Sequence, residues 1–242
     1  MADAVSEAPS PDSVVRAAVT AFARDGYASV TVETLAKQTG MTKRMIHYHF
    51  GDKRGLYVAA LRHALGQLAP PENVLNRSFA VPVEGMRRFV DALYHTCLDN
   101  PDAVRLVLRE NLDPAVEADD AALLTDAREV ALHAERLLLA GQDAGAFRPG
   151  ITAVDLLALI VSLCFFRVGN GVTAQHLSRV DLGSRRNVDG MRRMVIDTVL
   201  AFLTSNISYS GYESYLEPAP APAEAAEPDE LFDIYGEDGR IV

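Results

Sequence analysis

The 242-residue chain is short of several things, and each shortage excludes a class of protein. It has two cysteines, Cys97 and Cys164, and no Cys-x-x-Cys spacing. That excludes a disulfide framework and a cysteine-ligated zinc module, and it predicts two small core residues rather than redox sensors. No alternating β-branched run is long enough for a strand, and no segment repeats. The most apolar stretch, 151–168, is interrupted by Asp155 and Arg167. Its uncharged part, Leu156 to Phe166, falls short of the about 18–20 residues that span a bilayer, so a buried helix and no membrane partner are expected. Residues 1–11 have no basic n-region and no apolar h-region, which predicts no signal peptide and a cytoplasmic location. Gly-x-Ser-x-Gly, a P-loop, a dinucleotide fingerprint and His-Glu-x-x-His are all absent. His63, His95, His133 and His176 lie on separate segments with no nucleophile signature beside them. Neither an enzyme nor a resident cofactor or metal is expected.

Hydrophobic residues at 49% and charged residues at 23% are values of a chain with a sizeable core. The net charge of −10 would argue against a nucleic-acid partner if it were evenly spread. It is not. Residues 1–12 carry −3, residues 13–68 carry +5, residues 69–206 carry −4 and residues 207–242 carry −8. All three lysines, Lys37, Lys43 and Lys53, fall in the basic block. A basic block joined to an acidic body marks a nucleic-acid-binding module fused to something else.

Helical spacing runs through that block. A first helix is expected from an Asp12 or Ser13 cap through Val15, Ala18, Val19 and Phe22 to Gly26. A short helix follows from a Thr31 cap to Gly40. Thr42 caps a third, Lys43 to about His49, and Asp52 caps a fourth. Two short helices joined by a glycine turn inside a helical package make a helix-turn-helix. Further helices are expected at 83–98, 101–111, 116–142, 152–169 and 188–205, with a break at Gly169-Asn170-Gly171. After Asn206, Pro218-Ala-Pro-Ala-Pro222 and an acidic run predict a disordered or extended tail. The fold class is therefore all-α. The expected division is an arm over 1–11, a DNA-binding domain over 12–68, a helical body over 69–206 and a tail over 207–242.

The order Gly26-Tyr27, Thr31-Val-Glu-Thr-Leu-Ala, Gly40-Met-Thr-Lys and Tyr48-His-Phe-Gly-Asp-Lys-Arg-Gly-Leu-Tyr57 resembles the TetR family of transcriptional regulators. The resemblance covers roughly residues 12–65, and Gly145-x-Phe-Arg-Pro further on is similar to the family as well. It implies a dimeric regulator bound to a double-stranded DNA operator and released by a small-molecule effector of unknown identity.

In such a protein the third helix enters the major groove and reads bases from its N-terminal residues. Thr42 would donate to a phosphate. Lys43 or Arg44 would reach a guanine edge, where arginine bonds O6 and N7 together. Met45 could touch only a thymine methyl, and the family more often has a small polar residue there. His47 replaces the family's usual Tyr or Leu. His47, Tyr48 and His49 would contact backbone and bases, although Tyr48 equally suits packing on the domain surface. His47 and His49 point about 200° apart and cannot share a metal. Lys53 matches the family's phosphate-binding lysine. Thr31 caps a helix whose free amides can bind another phosphate.

In the body, 152–169 is apolar nearly all round and 188–205 is its natural neighbour, so the two are expected to form the homodimer interface. Polar candidates for an effector pocket are His95, Arg109, Asn111, His133, Arg167 and Asn170, each of which also reads as a satisfied structural group. A non-specific architectural DNA binder is the competing function.

Overall fold

The computed structural model describes residues 10–75, 80–116, 125–207 and 214–216. Every described element is a helix: α1 Pro11–Ser29, α2 Val32–Thr39, α3 Lys43–Phe50, α4 Lys53–Leu68, α5 Glu72–Leu75, α6 Pro82–Asp99, α7 Pro101–Leu112, α8 Thr125–Asp143, α9 Ala153–Ser178 and α10 Arg185–Thr204.

The caps explain the boundaries, including two that differ from expectation. The first helix is capped by Ser10, not by Asp12 or Ser13. Pro11 takes the first helical position, where its missing N–H is no loss, and Ser10 and Ser13 each accept from the other's amide at 3.1 and 3.0 Å. At Gly26 (φ 80°, ψ 164°) the helix kinks and then runs one more turn to Ser29. The expected break at Gly169-Asn170-Gly171 does not occur, and α9 continues to Ser178. Gly169 instead gives clearance: a Cβ there would lie 3.3 Å from Leu108 on α7. Helical glycine costs about 1 kcal/mol relative to alanine, which the packing of α9 against α6, α7, α8 and α10 offsets. Val116, expected to start a helix, is held in a bend by the Glu110 carboxylate, and 117–124 lie outside the described residues.

Two cores form. The head core joins Val14, Phe22, Leu35, Ile46, Leu56 and Tyr57, and it takes in Ala103 and Leu106 of α7. The body core joins Met86, Phe89, Leu156, Ile160, Val195 and Leu203, and it takes in Val104 of the same helix. So α7 lies between the two, one face in each.

By length and composition α9 is also apolar enough to cross a membrane, with a mean hydropathy of 1.8 over its richest window. It is longer than the uncharged run because Asp155 is folded back into its N-terminal cap and the helix runs on through Arg167 to Ser178. Leu156, Ile160 and Cys164 form its buried edge, while Val154, Val161, Phe166 and Val172 remain exposed.

The tail is not extended throughout. The amides of Tyr215 and Leu216 donate to Asp155 Oδ1 at 3.1 and 2.8 Å. The Thr152 amide and hydroxyl donate to its Oδ2 at 2.9 and 3.0 Å. The Arg148 guanidinium stacks on Phe202 and Tyr215, 4.6 and 5.6 Å from the ring centres, and donates to Tyr215 Oη. Residues 208–213 and 217–242 lie outside the described residues. Burial would raise the Asp155 carboxyl, but the converging amides of Thr152, Tyr215 and Leu216 outweigh it and hold the carboxyl below its ordinary value. A depressed folded pKa contributes stability above the unfolded pKa, and that stability disappears as pH falls through the folded one. Asp155→Ala should cost about 2 kcal/mol at neutral pH. In thermal melts the gap from wild type should close as pH drops below the ordinary aspartate range; a gap independent of pH would contradict the charge-assisted anchor.

Candidate nucleic-acid interface

The head presents α3 through a tight turn. Gly40 (φ 70°) closes α2 in the left-handed conformation, Met41 is buried as a plug, and Thr42 caps α3 by accepting from the Met45 amide at 3.3 Å. Thr31 caps α2 in the same way, accepting from the Thr34 amide at 3.2 Å. Ile46, 1% exposed, is the one fully buried residue of α3. Phe50 is half-buried, and Lys43, Arg44, Met45, His47, Tyr48 and His49 are all exposed.

The exposed side chains are not equally available. Arg44 has no ion-pair or hydrogen-bond partner among the described residues. Lys43, by contrast, is paired with Glu33 of α2. That contact and Glu33's own backbone amide hold the Glu33 carboxyl below its ordinary value. Both partners are about half exposed, so the pair is weak and a phosphate can displace it. His47 is partly engaged: its Nδ1 donates to the Gly51 carbonyl at 2.7 Å and helps close α3, leaving Nε2 outward. Tyr48 is 85% exposed, with only the His49 ring beside it at 5.2 Å, so it does not pack into the domain surface. Met45 is 47% exposed. Lys53 is half-buried: its Nζ lies 4.5 Å from the centre of the Tyr27 ring and donates to the Ala28 carbonyl at 3.3 Å. That contact pins the start of α4 to the end of α1 and leaves the ammonium at the head surface.

In the head, Tyr57 packs edge to face on both Phe22 and Tyr27, 4.9 Å from each, while Phe22 and Tyr27 stack on one another at 6.1 Å. The Tyr57 hydroxyl donates to Glu110 of α7 at 2.7 Å. Burial first, and then that carboxylate, push the phenol well above its ordinary value. Arg109 donates from Nε and Nη2 to the carbonyls of Ala23 and Arg24 at 2.7 and 2.8 Å. These are the carbonyls that the Gly26 kink leaves without helical partners.

Arg109 is therefore a clamp between α7 and α1. The other five effector candidates do not share a site with it either. His95 is exposed and bonds Asp91, which Arg192 grips through two hydrogen bonds of 2.5 and 2.9 Å. Asn111 and Asn170 are exposed. Arg167 is half-buried beside Tyr94 and Cys97. His133 is buried against Phe89, its Nε2 without a hydrogen-bond partner among the described residues, and burial holds its imidazole below the ordinary value. Two open grooves run along the outer side of α8, of about 520 and 590 Å³. Both are lined by Leu132, Glu135 and Leu139, and the first also by Arg128 and Gln142. None of the six candidates lines them. The sequence reading missed these residues because an exposed apolar edge on a helix has the same spacing as a buried one.

Residues 14–60 match the model of bacterial regulatory proteins of the tetR family, and residues 82–199 match that of the tetracyclin repressor-like C-terminal domain. The chain belongs to the TetR family of transcriptional regulators. The transcriptional repressor NicS of Pseudomonas putida is 28% identical over 176 residues, 72% of this chain and 83% of that protein. The repressor SCO4008 of Streptomyces coelicolor is 25% identical over 184 residues, 74% of this chain and 87% of that one. In structure, the TetR-family regulator PfmR of Thermus thermophilus superposes with a TM-score of 0.61 at 20% identity, covering 80% of this chain and 97% of that one, a likeness of fold. As a member of this family the chain is a DNA-binding regulator with a helix-turn-helix head, and regulation rather than catalysis is the family's role.

The Lys43–Glu33 pair yields a test. Glu33→Gln removes the carboxylate that pairs with Lys43 and leaves the ammonium free to meet a phosphate. DNA affinity at low salt should rise, and the slope of log K against log[salt] should steepen by up to about 1. An unchanged slope and affinity would mean that Lys43 does not face the duplex.

Proposed function

We propose that this chain is a homodimeric repressor whose two heads read a palindromic operator and let go when a small molecule binds the body. The observation that supports this best is α3 itself, a helix that buries Ile46 alone and turns a full face of polar and aromatic side chains outward. Arg44 is the residue expected to grip a guanine through O6 and N7, with Lys43 beside it once Glu33 is displaced. Met45 touches a thymine methyl. Tyr48, His49 and the outward nitrogen of His47 meet backbone and base edges. Thr31, Thr42 and Lys53 hold phosphates and fix the register.

The two copies join through the exposed apolar stripe of α9, Val154, Val161 and Phe166, with Met194 of α10 beside it. An apolar stripe of this kind is costly in water and is covered when a second copy packs on it in a four-helix arrangement. The repressor acts in the cytoplasm, on the chromosome. For the effector, the inner face of α8 offers the better anchor: the unsatisfied Nε2 of His133 is a buried polar atom that a ligand group would complete. Release is a population shift in which the ligand favours a head spacing that does not fit successive major grooves. The path runs through α7, which holds α1 by Arg109 and α4 by Glu110.

Genomic footprinting of the intact protein would give the operator, and binding of the variants to it tests the reading. Arg44→Ala should lose about 1–3 kcal/mol of specific affinity, roughly 5- to 150-fold, with the dimer unchanged. Equal affinity for the site and for bulk DNA would indicate an architectural binder instead.

A further inference from the structure

His47 holds both polar backbone groups of Gly51. Its carbonyl accepts from the Gly51 amide at 2.9 Å, and its ring Nδ1 lies 2.7 Å from the Gly51 carbonyl. Gly51 closes α3 at φ 76°, a conformation that favours glycine, and this turn brings its carbonyl back to the ring. A carbonyl can only accept, so Nδ1 carries the proton of that bond. In the neutral ring the other nitrogen, Nε2, is then a lone-pair acceptor with no proton to give. The side chain is exposed on α3, and no hydrogen bond reaches Nε2 among the described residues. His49 is also exposed and makes only ring contacts among the described residues, so nothing sets its tautomer.

That state restricts what Nε2 can meet on DNA. Phosphates and deoxyriboses within a duplex offer acceptors only. In the major groove guanine shows N7 and O6 and thymine shows O4, all acceptors; the donors there are the amino groups of adenine, N6, and cytosine, N4. An acceptor-only nitrogen therefore has no hydrogen-bond partner on the backbone, on guanine or on thymine. Arg44, three residues earlier, is its neighbour on the helix surface and carries donors only. A donor and an acceptor thus stand side by side on α3. On the reading of α3 as the helix in the major groove, on which this rests, we propose that His47 is a specificity-determining residue. It accepts a hydrogen bond from the amino group of an adenine or a cytosine beside the base read by Arg44, and it makes no phosphate contact.

Two measurements on the full chain test this, and the first needs no DNA. Nitrogen-labelled histidine side chains are observed by NMR at about pH 8, above the ordinary imidazole range, where long-range nitrogen–proton correlations show which ring nitrogen is protonated. The His47 signals, assigned by their absence from His47→Gln, should show the Nδ1–H tautomer; the Nε2–H tautomer would overturn the proposal. The second uses the footprinted operator at the same pH. Each adenine is replaced in turn by purine and each cytosine by 2-pyrimidinone, which lack only the amino group. One replacement per half-site should weaken wild-type binding about fivefold or more and leave His47→Ala unaffected, while both proteins keep the same preference at the guanine read by Arg44. Each protein is compared with itself on two DNAs, so a general loss of affinity in His47→Ala does not mask the result. A loss in His47→Ala that is uniform across sequences, with a salt slope smaller by about 1, would mark a phosphate contact and overturn the proposal while leaving the reading by Arg44 intact. If Arg44→Ala also leaves site preference unchanged, the groove-helix reading fails and the role of His47 with it.

Discussion

The Arg109 guanidinium, set on the carbonyls of Ala23 and Arg24, is the contact on which the geometry of the rest depends. The head needs a bend in α1 so that α2 and α3 can fold back over Phe22 and Tyr57, and Gly26 supplies it at φ 80°. Bending a helix strands carbonyls; that of Ala23 is part-buried, where an unmet acceptor costs about 1–3 kcal/mol, and that of Arg24 lies nearer solvent. Arg109 reaches from α7 to satisfy two of them, and its Nη1 would lie only 3.2 Å from a Cβ at position 26. The glycine is therefore required for its conformation, and a side chain there would also crowd the Arg109 guanidinium. One residue along, Glu110 takes the Tyr57 hydroxyl and the amides of Ala115 and Val116. With Ala103 and Leu106 in the head core and Val104 in the body core, α7 cannot shift without moving both.

This arrangement separates two demands on the head. Its interior is fixed by aromatic packing and by α7, so α3 needs little attachment of its own: Ile46, the Thr42 cap and the His47–Gly51 closure suffice. The outer face of α3 is then free to carry side chains chosen for a partner. The charge follows the same division. A +5 head sits on an acidic body, and the −8 tail is anchored at Asp155, on the first turn of α9. Gly169, fourteen residues further along α9, is where that helix touches α7, so at about 1.5 Å per residue the anchor is roughly 20 Å from the α7 junction. Tyr215 and Leu216 are thus held at the end of α9 remote from the head.

The sequence made the head legible because its signals are local. Thr31, Thr42 and Asp52 are caps, Gly40 is a left-handed turn, and Ile46 and Phe50 keep helical spacing; each is decided within four residues of itself. What was missed is decided by distant partners. Arg109 and Asn111 look alike as polar residues on one helix, and only the fold shows that one clamps α1 while the other faces water. Gly169 reads as a break until Leu108 is found against it. Asp155 interrupts an apolar run in the sequence, and in the fold it gathers two amides from sixty residues away. The effector candidates scattered for the same reason: a polar residue on a helix carries no mark of which neighbour it faces.

On the proposed reading, α3 is the reading element and two copies are the reading unit, with head spacing set through α7. Hydroxyl-radical footprinting of the intact protein on its operator tests this most directly. Two symmetric protected patches on one face of the duplex, with centres one helical turn apart at about 34–36 Å, are predicted. A single patch, or continuous protection without sequence preference, would contradict the paired-head reading at its root.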